Sequence, residues 1–277
     1  MIACVGGKMS PVTVAMYKEF RDPFYHEPRT ASMTLAQLHI AQFKADPSNL
    51  QVFFHEAQCF HLNGVSKPFF KNFPLLYSSS FLMPKMLHYL HKECWDHDIK
   101  WCLNVIGNSE LDFQLSIMQP IAGYCHFKSR ISKLKQITGR VHHDIQCYLI
   151  GIIAGAAPPQ FVTAICALMD FQYCVQAYYI NANELQLITT ALDTFHANKQ
   201  SILAYGAQQG KGNKPINNWY IPKLELMQNF VPSISQLGVP IQWSANVTEH
   251  AHISEIKIPA RASNNNNYDP QICWYLD

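Results

Sequence analysis

No CxxC pair and no GxxxxGK[ST] frame occurs anywhere in the sequence. The first absence removes the strong signature of a structural zinc module, and the second removes the phosphate-binding P-loop. Charge is scarce, at 14% of 277 residues and a net of +2, so charge alone selects no partner. Long apolar runs are also missing. The longest, Cys147 to Ala157, is eleven residues and contains two glycines. A membrane-spanning helix needs about 20. The start, MIACVGGKMSP, has neither the basic opening nor the apolar core of an export signal. The expected location is the nucleus or cytoplasm, with no secretion and no membrane partner. There is no internal repeat.

The chain is rich in core-forming residues. Hydrophobic residues make up 48%, with 16 Phe and 13 Tyr, enough for a sizeable aromatic-rich interior. Nine cysteines at irregular spacing read as buried thiols of a reducing compartment. Thirteen histidines would make the chain more basic on mild acidification. A glycosylation sequon at Asn246-Val247-Thr248 is idle in that compartment.

Chemistry concentrates in LHYLHKECWDHDIKWC (87–102). Leu87, Leu90, Cys94, Ile99 and Cys102 recur at roughly helical intervals, and Pro84 stands where a first turn tolerates it. On one helix His88 and His91 share a face, one turn apart. The metal candidates are therefore His88, His91 and His97. A polar helix face is the blander reading of the same spacing. From Phe113 to His143 there is no acidic residue but five basic ones, Lys128, Arg130, Lys133, Lys135 and Arg140. They are either a solvated face or phosphate-backbone contacts. A second His/acid group comprises Glu249, His250, His252 and Glu255.

The remaining pattern is mostly helical. RDPFYHEPR (21–29) reads as a surface loop. Thr34 is a candidate cap for LAQLHIAQF (35–43), and Ser48 for NLQVFFHEAQCF (49–60). Residues 107–126 alternate weakly and read as extended. Helices are expected over 139–157, over 160–177 as a core helix, and over 184–206 with Asn181 or Asn183 as cap and Gly206 as stop. AQQGKGNKPINN (207–218) reads as a polar solvent loop. Residues 221–238 read as a helix broken at Pro232, and 239–261 contain a possible short strand.

Several ordered blocks carry a family resemblance. They include DPFYHEPRTASMTLAQL (22–38), FHLNGVSKPFF (60–70), LHYLHKECWDHDIKWC (87–102), ISKLKQITGRVHHDIQ (131–146), IAGAAPPQFVTAICALMDFQY (153–173), GKGNKPINNWYIPKLELMQ (210–228) and IQWSANVTEHAHISEIKIPARASNNNNYDPQIC (241–273). In these the chain resembles the carboxy-terminal part of Plavaka-type transposases of basidiomycete fungi, CACTA-like DNA transposons. The resemblance implies DNA cut-and-paste chemistry on an RNase H-like core, with carboxylates holding two magnesium or manganese ions. The candidate carboxylates are Asp96, Asp98, Glu110, Asp112 and Asp144.

Four positions depart from the family blocks. Lys85 occupies a position where members usually carry an acid, Val141 replaces the acid of GREH, and Glu93 and Cys94 differ from the block. The expectation is a transposase fragment with little catalytic competence alone, DNA as a partner and self-association left open. The alternative is an active metal-dependent transposase or nuclease module. The expected fold is mainly α with a few short strands near 107–126 and 239–258. Its alternative is α+β with a partial RNase H-like core. Two regions are expected, 1–138 with the histidine helix and 139–277 with a carboxy-terminal domain at about 184–277.

Overall fold

The structure, a computed structural model, describes residues 5–73, 76, 78–82, 90, 92–127, 131–134, 139–244, 248, 251–264, 266 and 268–276. Helix makes up 61% and strand 3%, with no sheet among the described residues, so the fold is mainly α. The partial RNase H-like sheet has no counterpart among the described residues. Only isolated bridges occur there: Val5 with Leu62, Met9 with Met16, Thr13 with Pro28 and Gln209 with Pro215.

Helices α1 (Ala31–Lys44) and α2 (Leu50–Gln58) pack on each other through Leu38, Ala41, Ala45, Phe53 and Ala57. Their caps differ from the expected ones. Thr30, not Thr34, accepts from the Met33 N–H, and Asn49, not Ser48, accepts from the Val52 N–H. Thr34 is buried in the first turn of α1, so its hydroxyl turns back to the Thr30 carbonyl instead. The 21–29 stretch is mostly surface, except for the fully buried Arg29.

After the short α3 (Ser78–Phe81) comes a π-helical segment, Cys94–Ile99, which continues directly into α4 (Lys100–Ile106). Gly107 turns the chain at φ +94°, and α5 (Asn108–Ile117) follows. The extended reading of 107–126 is corrected here. Leu111 and Leu115 lie one helical turn apart and are both buried, and that pair outweighs the weak alternation around them. The 239–258 strand is also corrected. Pro240 opens a 3₁₀ turn at Pro240–Trp243, and a second π-helical segment, Ile253–Lys257, leads into α12 (Ile258–Ala262). A lone strand leaves its backbone groups unpaired, whereas a helical turn pairs them locally.

The core is built on α6 (Gly139–Ile153), α7 (Pro159–Val175) and α8 (Ala182–Asn198). α7 starts at the Pro158-Pro159 break and buries Phe161, Ile165, Leu168, Phe171, Gln172 and Val175, as its nearly all-round apolarity predicts. α8 is amphipathic, with Ile188, Leu192, Phe195 and His196 buried at helical spacing. Asn181 caps it: the side chain accepts from the Asn183 and Glu184 N–H groups, and Glu184 accepts from the Asn181 N–H. Asn181→Ala is expected to cost about 1 kcal/mol in urea unfolding. An unchanged midpoint would mean that packing alone fixes this end.

α9 (Gln200–Ala204) leads to Gly206, the expected stop, at φ +65°. Residues 208–216 then form a small hairpin. Gly210 N–H donates to the Lys214 carbonyl at 2.8 Å, and Ile216 N–H to the Gln208 carbonyl at 3.0 Å. Its tip holds Gly212 and Asn213 at φ +72° and +56°, the residue types that tolerate left-handed backbone most cheaply. The helix expected over 221–238 breaks at 228–229, not at Pro232. Pro232 lies in the first turn of α11 (Phe230–Leu237), where its missing N–H costs nothing. α10 (Pro222–Met227) buries Glu225, which accepts from the Ser10 hydroxyl at 2.7 Å and the Thr13 hydroxyl at 2.5 Å. These bonds hold the amino-terminal segment on the body. α13 (Tyr268–Leu276) is the last element.

Candidate functional site

The π-helical segment decides which side chains meet. In an α-helix, residues five apart diverge by about 140°. A π-helical repeat bonds i to i+5 and brings such residues onto one face. Glu93 and Asp98 are five apart, and both are fully buried. The Gln172 side-chain amide donates to both carboxyls at 3.0 Å, and Gln146 donates to the Gln172 carbonyl oxygen at 2.6 Å. The other oxygen of each carboxyl, Glu93 Oε1 and Asp98 Oδ1, is buried with no hydrogen-bond partner among the described residues. Burial pushes the Glu93 carboxyl up to about 8, against the pull of Lys223. Burial, then the Glu93 charge, pushes Asp98 well above its usual range. Burial likewise raises the neighbouring thiols of Cys94 and Cys102. This is a sealed, proton-retaining knot between the π-segment, α6 and α7.

The opposite face of the same segment borders a cavity of about 560 Å³. Asp96, His97, Lys100, Trp101 and Asn104 form one wall, and the 207–221 stretch forms the other. Asn104 ties the walls together by donating to the Ala207 carbonyl at 2.7 Å. Trp219 locks the second wall in place. Its ring meets Trp101 edge-on at 5.7 Å and Phe195 at 6.0 Å, with the Lys199 ammonium 5.8 Å from its centroid. Lys100 and Lys211 are exposed at the cavity, and Asn108, Asn213 and Tyr220 are exposed beside them. The lining mixes these donors and the two lysines with the Asp96 carboxylate and apolar side chains such as Leu103, Ile216 and Ile221.

The sequence candidates fall in different places. Asp96 is the carboxylate at the cavity, and it is paired with Lys223 at 3.1 Å and Lys100 at 3.8 Å. Burial would raise its carboxyl, but the Lys223 hydrogen bond and the Lys223, Lys100 and Lys92 charges hold it below the usual range. His97 stacks obliquely on Trp101 at 5.4 Å; burial and the Lys223 charge press it down to about 4, so it is neutral at pH 7. Asp98 belongs to the buried knot. Glu110 is exposed and accepts from Gln114 at 2.7 Å. Asp112 accepts from the Ser132 N–H and hydroxyl at 3.0 and 2.6 Å. Asp144 accepts from the Cys125 N–H at 2.9 Å, with His143 at 3.4 Å.

The five carboxylates thus serve separate local partners. Among the described residues no three His, Cys, Asp or Glu side chains are grouped to hold a metal ion. A two-metal arrangement does not fit these donors as they stand. His88, His91, Lys128, Arg130 and Lys135 lie outside the described residues, as do the side chains of Lys133 and Arg140. Glu249 and His250 lie outside them too, while His252 and Glu255 are exposed. Sequence reading missed Glu93, Gln172 and the cavity role of 207–221. The available signals were the five-residue spacing of Glu93 and Asp98, and the lysines of GKGNK.

The cavity has exposed lysines at its rim and amide side chains in its wall, on a helical body. Residues 1–102 match the Plavaka transposase family. The matched stretch includes the amino-terminal segment, α1, α2 and the π-segment. The second cavity wall lies beyond it. No curated protein and no solved structure matches the chain. No helix among the described residues is long and apolar enough to cross a membrane.

Proposed function

We propose that this transposase-like chain is a nucleic-acid-binding protein that grips DNA through the cavity between the π-segment and the 207–221 wall, and does not cut it alone. The observation that carries this reading is the cavity lining. Lys211 offers an exposed ammonium group for phosphate, Lys100 offers a second that it shares with Asp96 at 3.8 Å, and exposed amides supply neutral donors beside them. Similarity to a DNA transposase family over residues 1–102 supports DNA as the polyanion. The carboxylates argue against unaided cleavage, because each is committed to a lysine, a backbone N–H or a side-chain amide.

The test is retardation of duplex DNA at about 50 mM salt, with Lys100→Glu/Lys211→Glu as the variant. Binding is expected to weaken by about tenfold or more, with the salt dependence reduced by roughly two phosphate contacts. Absence of binding to both duplex and single-stranded DNA by the unaltered chain would overturn the reading. Magnesium-dependent nicking lost on Asp96→Ala would instead establish the enzyme.

A further inference from the structure

The cavity is too small for a double helix. A volume of about 560 Å³ is in the range of small-ligand sites, whereas a duplex could only rest on its rim. The lining nevertheless goes beyond what phosphate needs. Tyr220 is 38% exposed at the cavity, its ring held edge-on by Tyr17 at 5.1 Å, so one aromatic face is fixed in place. Asn108 and Asn213 present amides, which pair with base edges as donor and acceptor together.

Gln208 adds a further feature of the wall. It is 7% exposed, and its amide donates to the Asn218 carbonyl at 2.7 Å. That partner is an acceptor, so the NH₂ end must face it, and the orientation of the amide is fixed. The Gln208 carbonyl oxygen is left buried with no donor among the described residues. An orphaned acceptor costs free energy that an incoming N–H recovers. A fully ionised phosphate has no such proton to give, but nucleobases do.

Resting on the nucleic-acid reading above, we propose that the cavity takes one unpaired nucleotide. Its phosphate lies on Lys100 and Lys211, its base stacks on Tyr220, and its edge meets the wall amides. The preferred substrate is then single-stranded or locally opened DNA, with duplex held only at the rim.

Fluorescence anisotropy on the full chain tests this with four probes: a short single strand, the same sequence as duplex, a strand with abasic sites in place of bases, and inorganic phosphate as competitor. The single strand is expected to bind about tenfold more tightly than the abasic strand. Tyr220→Ala should remove most of that difference, and Tyr220→Phe should keep it, because stacking on one ring is worth this much. Phosphate should compete only weakly. Equal binding of normal and abasic strands overturns the proposal, as does a Tyr220→Ala variant with unchanged melting temperature and unchanged preference. If duplex still binds in that case, the general nucleic-acid reading survives; if no probe binds, both fail.

Discussion

Glu93→Gln is expected to stabilise the chain, by an amount that grows as pH rises from 6.5 to 8. The carboxyl ionises near 8 when folded and near 4.5 when unfolded. Between those values the folded chain holds a proton that the unfolded chain has released. Unfolding free energy therefore falls with rising pH, by about 1.4 kcal/mol per unit, and levels off above the folded value. Asp98 is shifted the same way by burial and then the Glu93 charge, so it adds to the loss.

Two histidines oppose this at lower pH. Burial, aided by lysine charges, holds His97 near 4 and His196 near 3, against 6.5 unfolded. Their contribution rises with pH and is complete above about 6.5. Lys199, lowered by burial to about 8, adds stability only above that value. The window from 6.5 to 8 therefore isolates the carboxyl pair. Across it the Glu93→Gln advantage should widen by about 2 kcal/mol, or roughly 4–8 °C in melting temperature. Glutamine keeps an acceptor for Gln172 and can donate to Asp98. A wild-type melting temperature that is flat from pH 6.5 to 8 would show that the knot is not protonated.

The second large effect is expected at Trp219. Trp219→Ala should cost about 3–5 kcal/mol in urea unfolding, a large share of a typical domain's stability. The indole is 2% exposed and touches α4, α8 and the Lys199 ammonium at once. Its loss opens a hole where no single neighbour can collapse. Trp219→Phe should cost far less, because the indole N–H has no hydrogen-bond partner among the described residues and a ring still fills the site. DNA affinity should fall in the alanine variant, since the 207–221 wall loses its anchor. A cost below about 1 kcal/mol would mean that the wall is held elsewhere.

The helices were readable wherever one local signal dominated. α7 shows itself by apolarity on nearly every face, and α8 by its periodicity after Asn181. α5 was missed because alternation and a single i, i+4 leucine pair competed within ten residues, and burial of that pair decided the outcome. The Glu93–Asp98 pair was invisible to a 3.6-residue period, since only a locally widened helix brings the two together. The 207–218 loop looked solvated because its partners are far away in sequence. Asn104 reaches Ala207 across 103 positions, and no local pattern records that contact. The family match over residues 1–102 reaches only the first wall of the cavity, and the resemblance of the 210–228 block gave no hint that GKGNK supplies the second.

The π-segment also constrains the chain in its length. Side chains in 94–99 can change while the wide turn survives. Tightening it to an ordinary helix with every residue kept would set Glu93 and Asp98 about 140° apart and swing one carboxyl out of the knot. The same shift would turn Lys100 and Asn104 away from the loop opposite. In this stretch the count of residues and the width of the turn are matched: five residues' separation needs the wide turn, and four would need the ordinary one.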